Sequence, residues 1–268
     1  MRILKFEVVK RFARYEQRAL LRCSRFAKGS IDVSGGDVVA VRAAAFRGCK
    51  RVTSVALPQG IESIACDTFR DCRSLFSLTV PPAVKVIGAS ALEGCEALTS
   101  VALPEGLLEI GPMAFSGCRS LLAVELPASL TTLGSYAFRG CTSLTSAVLP
   151  EGLSELRDGL FDGCAALTSV AIPDRVQTIG TATFRGCAAL SSVTVPAGVT
   201  RIGERAFLGC SSLSELVIPD GVSEVAYAAL EGCTGLKSIA CPARLVPVLK
   251  AMCPAATVTP STEKGSNR

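Results

Sequence analysis

Cysteine is the residue type in this sequence whose number and spacing could do chemistry, because a thiolate can ligate a metal, pair in a disulfide or attack an electrophile. Thirteen are present, and Cys49, Cys72, Cys95, Cys118, Cys141, Cys164, Cys187, Cys210 and Cys233 stand at one period of 23 residues. Zinc sites draw ligands from closely spaced pairs. No Cys-x-x-Cys occurs here, and the chain has no histidine to complete a mixed site. Nine thiols spaced one period apart read instead as small hydrophobes turned inward in a ladder, with no metal and no cofactor. Disulfides between adjacent members would be strained by parallel side-chain vectors. Cys23, Cys66, Cys241 and Cys253 fall outside the ladder. The odd total leaves at least one thiol unpaired, which favours a reducing compartment or burial in an oxidising one.

Other catalytic constellations are missing as well. The commonest general base is absent with histidine, there is no Gly-x-x-x-x-Gly-Lys loop, and carboxylate pairs such as Glu151 with Glu155 lie on turns where solvent claims them. The expectation is that the chain is not an enzyme. Its formal charge of +5 is unevenly spread: residues 1–35 hold nine Lys or Arg against three Asp or Glu, and the remainder 19 against 20. A nearly neutral array with no basic row argues against nucleic acid as a partner.

The elements that must position these thiols follow from the same period. Prolines recur with it from Pro58 to Pro242, and Phe46, Phe69, Phe115, Phe138, Phe161, Phe184 and Phe207 align, with Leu92 and Leu230 in the two remaining slots. A unit of this size cannot bury an apolar side alone, so the units must stack on one continuous core, and 49% hydrophobic content is ample for it. In "LTSVALPEGLLEIGPMAFSGC", residues 98–118, Leu98, Val101 and Leu103 carry strand spacing before Pro104 ends the ladder and Glu105-Gly106 turns the chain. Leu107 and Ile110 then make a return limb apolar at intervals of three. The run ending in Phe115 and Cys118 fits one turn of α or 3-10 helix closed by glycine.

These residues resemble the leucine-rich repeat pattern, with "LTSVAL" as its L-x-x-L-x-L core, although Pro104 and Gly106 replace the usual Asn or Cys. The combination of "LTSVALP", "IG" and "AF-x-G-C" is similar to the BspA-like subfamily of bacterial and spirochaete surface proteins. The resemblance implies an α/β fold: a right-handed solenoid with a parallel sheet of short strands on the concave face and short helical or 3-10 turns opposite. Residues 38–242 are expected to hold about nine repeats, residues 1–37 a basic cap or targeting segment, and residues 243–268 a C-terminal cap and a disordered tail, disordered from 259 onward. Phe6, Val9 and Phe12 are expected to cover the first coil, and Leu245, Val248, Leu249 and Met252 the last.

Function follows from surface rather than chemistry. The fifth and seventh residues after each repeat cysteine should face outward, and they form rows dominated by Ser, Thr and Ala. Phe76, Leu122, Glu125, Val148, Glu215 and Val217 break that uniformity and are the expected partner-binding residues. The resemblance implies a non-enzymatic, adhesin-like or envelope-associated module that binds a protein or peptide on its concave sheet. The alternative is a peripheral membrane-surface protein held through its basic N-terminus. Family resemblance points to the bacterial envelope or periplasm, while free cysteines and the lack of a clear signal peptide point to the cytoplasm.

Overall fold

The computed structural model describes residues 13–16, 19–35 and 38–261. The expected contacts of Phe6, Val9 and Phe12, and residues 262–268 of the expected tail, lie outside the described residues.

Each repeat is a coil with three sides. The first is a short strand whose middle side chain enters the core while its neighbours face solvent, as in Ser169–Ala171 and Ser192–Thr194. Successive strands pair in parallel, one repeat on the next, so that Ser146 faces Ser169 and Val170 faces Val193. Proline ends each of them because it has no N–H for the ladder. The second side is the return limb. Only apolar spacing marked it in the sequence, yet it forms a second parallel sheet of two-residue strands, such as Glu109–Ile110 paired with Thr132–Leu133. Glu109 and Thr132 point outward there and Ile110 and Leu133 are buried.

The third side differs from the helical turn expected: it is a run of tight turns. Met113 and Gly117 take the left-handed backbone, at φ 55 and 73, where glycine costs least. The N–H groups of Met113, Phe115 and Gly117 donate to the carbonyls of Ser135, Ala137 and Arg139 in the next repeat, at 3.0, 2.8 and 2.6 Å. Those of Ala114, Ser116 and Cys118 fold back onto Gly111, Met113 and Phe115. A helix would use its donors internally and leave neighbouring coils unlinked on this side. The turns divide them, so the same segment closes its own coil and ties it to the next. Packing is correspondingly tight: a Cβ on Gly134 would run into the nitrogen of Pro112 and the carbonyl carbon of Gly111.

The core runs the length of the solenoid. Phe115, Phe138, Phe161, Phe184 and Phe207 stack face to face with centroids 5.3 to 5.8 Å apart, and Phe46 stacks on Phe69 at 5.1 Å, with Leu92 between the two runs. All nine periodic cysteines are buried beside this column. Each does more than fill space. The Cys164 thiol donates to the Phe138 carbonyl at 3.1 Å and Cys187 to Phe161 at 3.2 Å, and the pattern holds from Cys72 to Cys233. Cysteine is small and apolar and still offers a weak donor, which suits a slot facing the previous coil's backbone. Cys23 and Cys253 do not stand outside the ladder after all. At one end the Cys49 thiol donates to the Ser24 carbonyl at 3.5 Å, beside the buried Cys23, and at the other the buried Cys253 thiol donates to the Leu230 carbonyl at 3.9 Å. Their spacing differs from 23 because the end coils are irregular, which hid them from the periodic reading.

Burial pushes the ladder thiols from Cys72 to Cys233 up, Cys233 to about 12 and Cys95 and Cys118 well above the ordinary value, which suppresses the reactive thiolate. All thirteen cysteines are unpaired and Cys66 alone is exposed. Native protein treated with a chromogenic disulfide reagent should therefore release one rapid equivalent, from Cys66, and the others only on unfolding. Several rapid equivalents would mean that the ladder is open to solvent.

Stacking extends past both limits of the 38–242 interval. Lys28–Asp32 lies parallel on Arg51–Ala56, and a hairpin of Ala13–Glu16 and Ala19–Cys23 adds to Ala40–Val41. At the other end a helix spans Val246–Met252, started by Pro247 in its first turn, where proline's missing N–H is no loss. Leu245 and Leu249 are buried, Met252 is partly so and Val248 is exposed. The chain then returns as Thr257–Pro260, parallel to Ser238–Cys241. Thr259 and Pro260, expected in the disordered tail, are thus strand residues, recruited by an open sheet edge rather than by their own apolar content. Among the described residues no helix is long and apolar enough to cross a membrane.

Candidate functional site

The sheet of longer strands is interrupted in three places. Its ladder breaks between Arg51–Ala56 and Ser77–Thr79, between Ser100–Ala102 and Ala123–Glu125, and between Ser192–Thr194 and Glu215–Val217. Five of the six residues that depart from the Ser, Thr and Ala rows sit on or beside the strand that follows a break: Phe76, Leu122, Glu125, Glu215 and Val217. Val148 is one strand further along from Glu125.

The middle break is open. Between its two strands lies a cavity of about 440 Å³ with Val101, Leu103, Leu126 and Pro127 in its wall and Glu105 and Glu125 among its polar lining. Val101 and Leu103 are only partly buried, whereas their equivalents one repeat on, Val124 and Leu126, are buried. Core aliphatic surface thus reaches solvent at one point of the sheet. Val101, Leu103 and Glu105 were not singled out from the sequence because their types match the repeat at every position. The missing ladder, which distinguishes them, leaves no trace in composition.

The surrounding side chains are exposed: Phe76 at 43%, Leu122 at 55% and Val148 at 68%. Phe76 and Leu122 stand in one column with Thr99 between them, and Glu125 and Val148 are neighbours in a second. At roughly 4.8 Å per strand these four residues span about 14 Å. Glu215 and Val217 share one strand and lie three strands beyond Val148, so the structure groups four of the six residues around the opening and leaves two apart. The backbone between the columns is held by threonines: Thr99 and Thr145 donate their hydroxyls to the carbonyls of Phe76 and Leu122, each at 3.1 Å. The arrangement offers apolar contact and two carboxylates. Among the described residues no group of three or more Cys, Asp or Glu is placed to hold a metal.

The model of the BspA type leucine rich repeat region matches residues 39–168 and 154–252, in six copies. The chain belongs to that family. Among solved structures, this BspA-type chain is similar to a leucine-rich repeat protein from Bacteroides ovatus, with 29% identity over 91% of this chain and a TM-score of 0.76. It spans 62% of that protein's length. The leucine rich repeat protein of T. pallidum is 32% identical, with 67% of this chain and 88% of that one covered and a TM-score of 0.60. A leucine-rich repeat protein from Eubacterium ventriosum, 21% identical over 76% of this chain and 58% of its own, shares the fold at a TM-score of 0.62. A search of curated proteins finds no match. BspA-type repeats build protein-interaction scaffolds, and this solenoid is of a kind typically used for binding rather than catalysis.

Proposed function

We propose that this BspA-type chain is a non-enzymatic, envelope-associated scaffold that binds a protein or peptide segment at the opening between Ser100–Ala102 and Ala123–Glu125. The observation that carries this reading is the opening itself. It exposes Val101 and Leu103 where the other coils are sealed, and it lies among Phe76, Leu122 and Val148, three exposed apolar side chains on a face otherwise built from small residues. Glu105 and Glu125 set the preference. A segment with an aliphatic or aromatic residue flanked by Lys or Arg would bury its side chain against the opening and meet both carboxylates with opposite charge.

A displayed random-peptide library panned against the full chain tests this. Selected peptides should carry that pattern, and Phe76→Ala and Leu122→Ala should each weaken binding by roughly 1–3 kcal/mol, as truncation of interface anchors does. Ser169→Ala, on a uniform part of the same face, should change little. Equal and negligible losses for all three would remove the site from this face. Phe76→Ala should leave the melting temperature nearly unchanged, because its side chain is already 43% exposed; a large drop would make it part of the core.

Attachment to a membrane surface is a second reading, favoured by charge. Residues 1–60 carry 13 Lys or Arg against four Asp or Glu, and the rest of the chain 15 against 19.

A further inference from the structure

The excess of positive charge converges on one place. Arg25, Arg47, Lys50 and Arg51 line a single open cavity of about 580 Å³ at the first coils, with Gly48 in its wall and Asp71 its one carboxylate. In the next coil the equivalent cations are neutralised. Arg70 and Arg73 stand one period after Arg47 and Lys50, and each meets a carboxylate of the next coil: Arg70 meets Glu93 at 3.3 Å and Arg73 meets Glu96 at 3.5 Å. In the cavity this compensation is incomplete. Arg47 reaches Asp67 at 3.5 Å, and among the described residues Arg25, Lys50 and Arg51 form no ion pair. Uncompensated cations that share a cavity repel one another, and a multivalent anion between them removes that cost.

The turn that supplies Arg25 has a second property. The Ala27 N–H donates to the Ser24 carbonyl at 2.9 Å and the Phe26 N–H to the Ser24 hydroxyl at 3.2 Å. This tight turn puts Arg25 and Phe26 at its tip. Phe26 is 84% exposed, the highest value among the exposed large hydrophobic side chains. The guanidinium of Arg25 lies along the cavity wall at Gly48, which has φ +73, its Nε 3.7 Å from where a Cβ would stand. A soluble anion would need only the cations. An uncovered phenylalanine at the tip of the same turn fits a ligand with an apolar layer beside its charge, since aromatic rings favour the membrane interface.

We propose that Arg25, Arg47, Lys50 and Arg51 bind the phosphate of an anionic lipid headgroup while Phe26 enters the interfacial layer beside it. Guanidinium groups suit this role because their planar forks pair with phosphate oxygens two at a time. The proposal deepens the second reading above and assigns it to residues of the solenoid's first coils. It does not depend on residues 1–12.

Flotation of the full chain on phosphatidylglycerol and on phosphatidylcholine vesicles tests it, with a parallel calorimetric titration by inorganic phosphate. The wild type should float with phosphatidylglycerol alone. The triple variant Arg25→Gln, Lys50→Gln, Arg51→Gln should lose about a hundredfold in partitioning, at about fivefold per removed cation. Phe26→Ala should lose roughly five- to tenfold, and this loss should persist at high salt because it is apolar. Arg201→Gln, which removes a distant exposed cation paired with Glu224, should float like the wild type. Circular dichroism identifies a variant that has unfolded, and the single change Lys50→Gln then replaces it. Flotation of wild type and triple variant alike would overturn the site while leaving attachment through the extreme N-terminus standing. No flotation and no phosphate binding would overturn both. Phosphate binding that the triple variant loses, without flotation, would keep the anion site and remove the lipid.

Discussion

Raising the pH through 9 should strip the protein of its stability over a narrow interval, and the ladder of thiols is the reason. In the unfolded chain each thiol ionises near its ordinary value of 9.0, whereas burial holds the thiols of Cys72, Cys95, Cys118, Cys141, Cys164, Cys187, Cys210 and Cys233 above it in the folded protein. Below pH 9 both states keep these protons and stability is complete. As the pH rises through 9 the unfolded chain releases protons that the folded chain retains, so stability falls and continues to fall toward the folded values, about 12 for Cys233. One such group is worth up to about 1.4 kcal/mol per pH unit, and eight together about 11, comparable with the roughly 5–15 kcal/mol stability of a whole domain. Urea unfolding under reductant, repeated at neutral pH and at steps upward through 9.0, measures the slope directly. Replacing Cys118 and Cys141 by alanine should reduce that slope by about a quarter. Constant stability to about pH 10.5 would show that the ladder ionises in place.

Phe161→Ala should cost about 3–5 kcal/mol, the range for deleting a large buried aromatic side chain. Phe161 is fully buried and stacked on both faces, with Phe138 at 5.7 Å and Phe184 at 5.8 Å. The cavity would open between two rings that the backbone ladders hold apart, so collapse is restricted. Phe161→Leu should cost only about 1 kcal/mol, because leucine keeps most of the volume. The chain supplies its own control, since Leu92 and Leu230 already occupy this slot and both are buried. Thermal or urea unfolding of the two variants compares them, and equal losses would show that the stack is set by ring contacts rather than by volume.

What could be read from the sequence was whatever repeats. The 23-residue period, the inward Phe and Cys, and the outward rows were legible because the same residues recur at the same place, and each recurrence restates one local cause. In every coil one feature went unread and another differs from the expectation. The return limb has strands of two residues, too short to display alternation, and the closing segment uses donors in a way fixed by the coil beside it. Met113, Tyr136 and Ala182 adopt positive φ there, a conformation that their residue types do not announce and that the bonds between coils enforce. The opening beside Val101 and the cavity beside Arg51 were invisible for a different reason. Each arises from a neighbour that fails to pair, and pairing is a property of two coils at once.

The interruptions of the two sheets have a mechanical consequence. From Ser63 to Cys241 the breaks in the longer-strand sheet fall after Ala102 and after Thr194, while the break in the two-residue sheet falls after Leu133. No two of them separate the same pair of coils. The solenoid is laid like brickwork, with each joint on one wall spanned by a continuous course on the other, so bending at any joint is resisted from the opposite side. Among the described residues, the one seam that runs through both walls lies between the coil ending at Ala56 and the next. There the turn bonds from Ala44, Phe46 and Gly48, the Phe76 to Thr53 bond and the thiol of Cys72 remain. Compliance is therefore concentrated beside the cluster of Arg47, Lys50 and Arg51, and a load applied to that end would swing the rest of the column as one stiff arm.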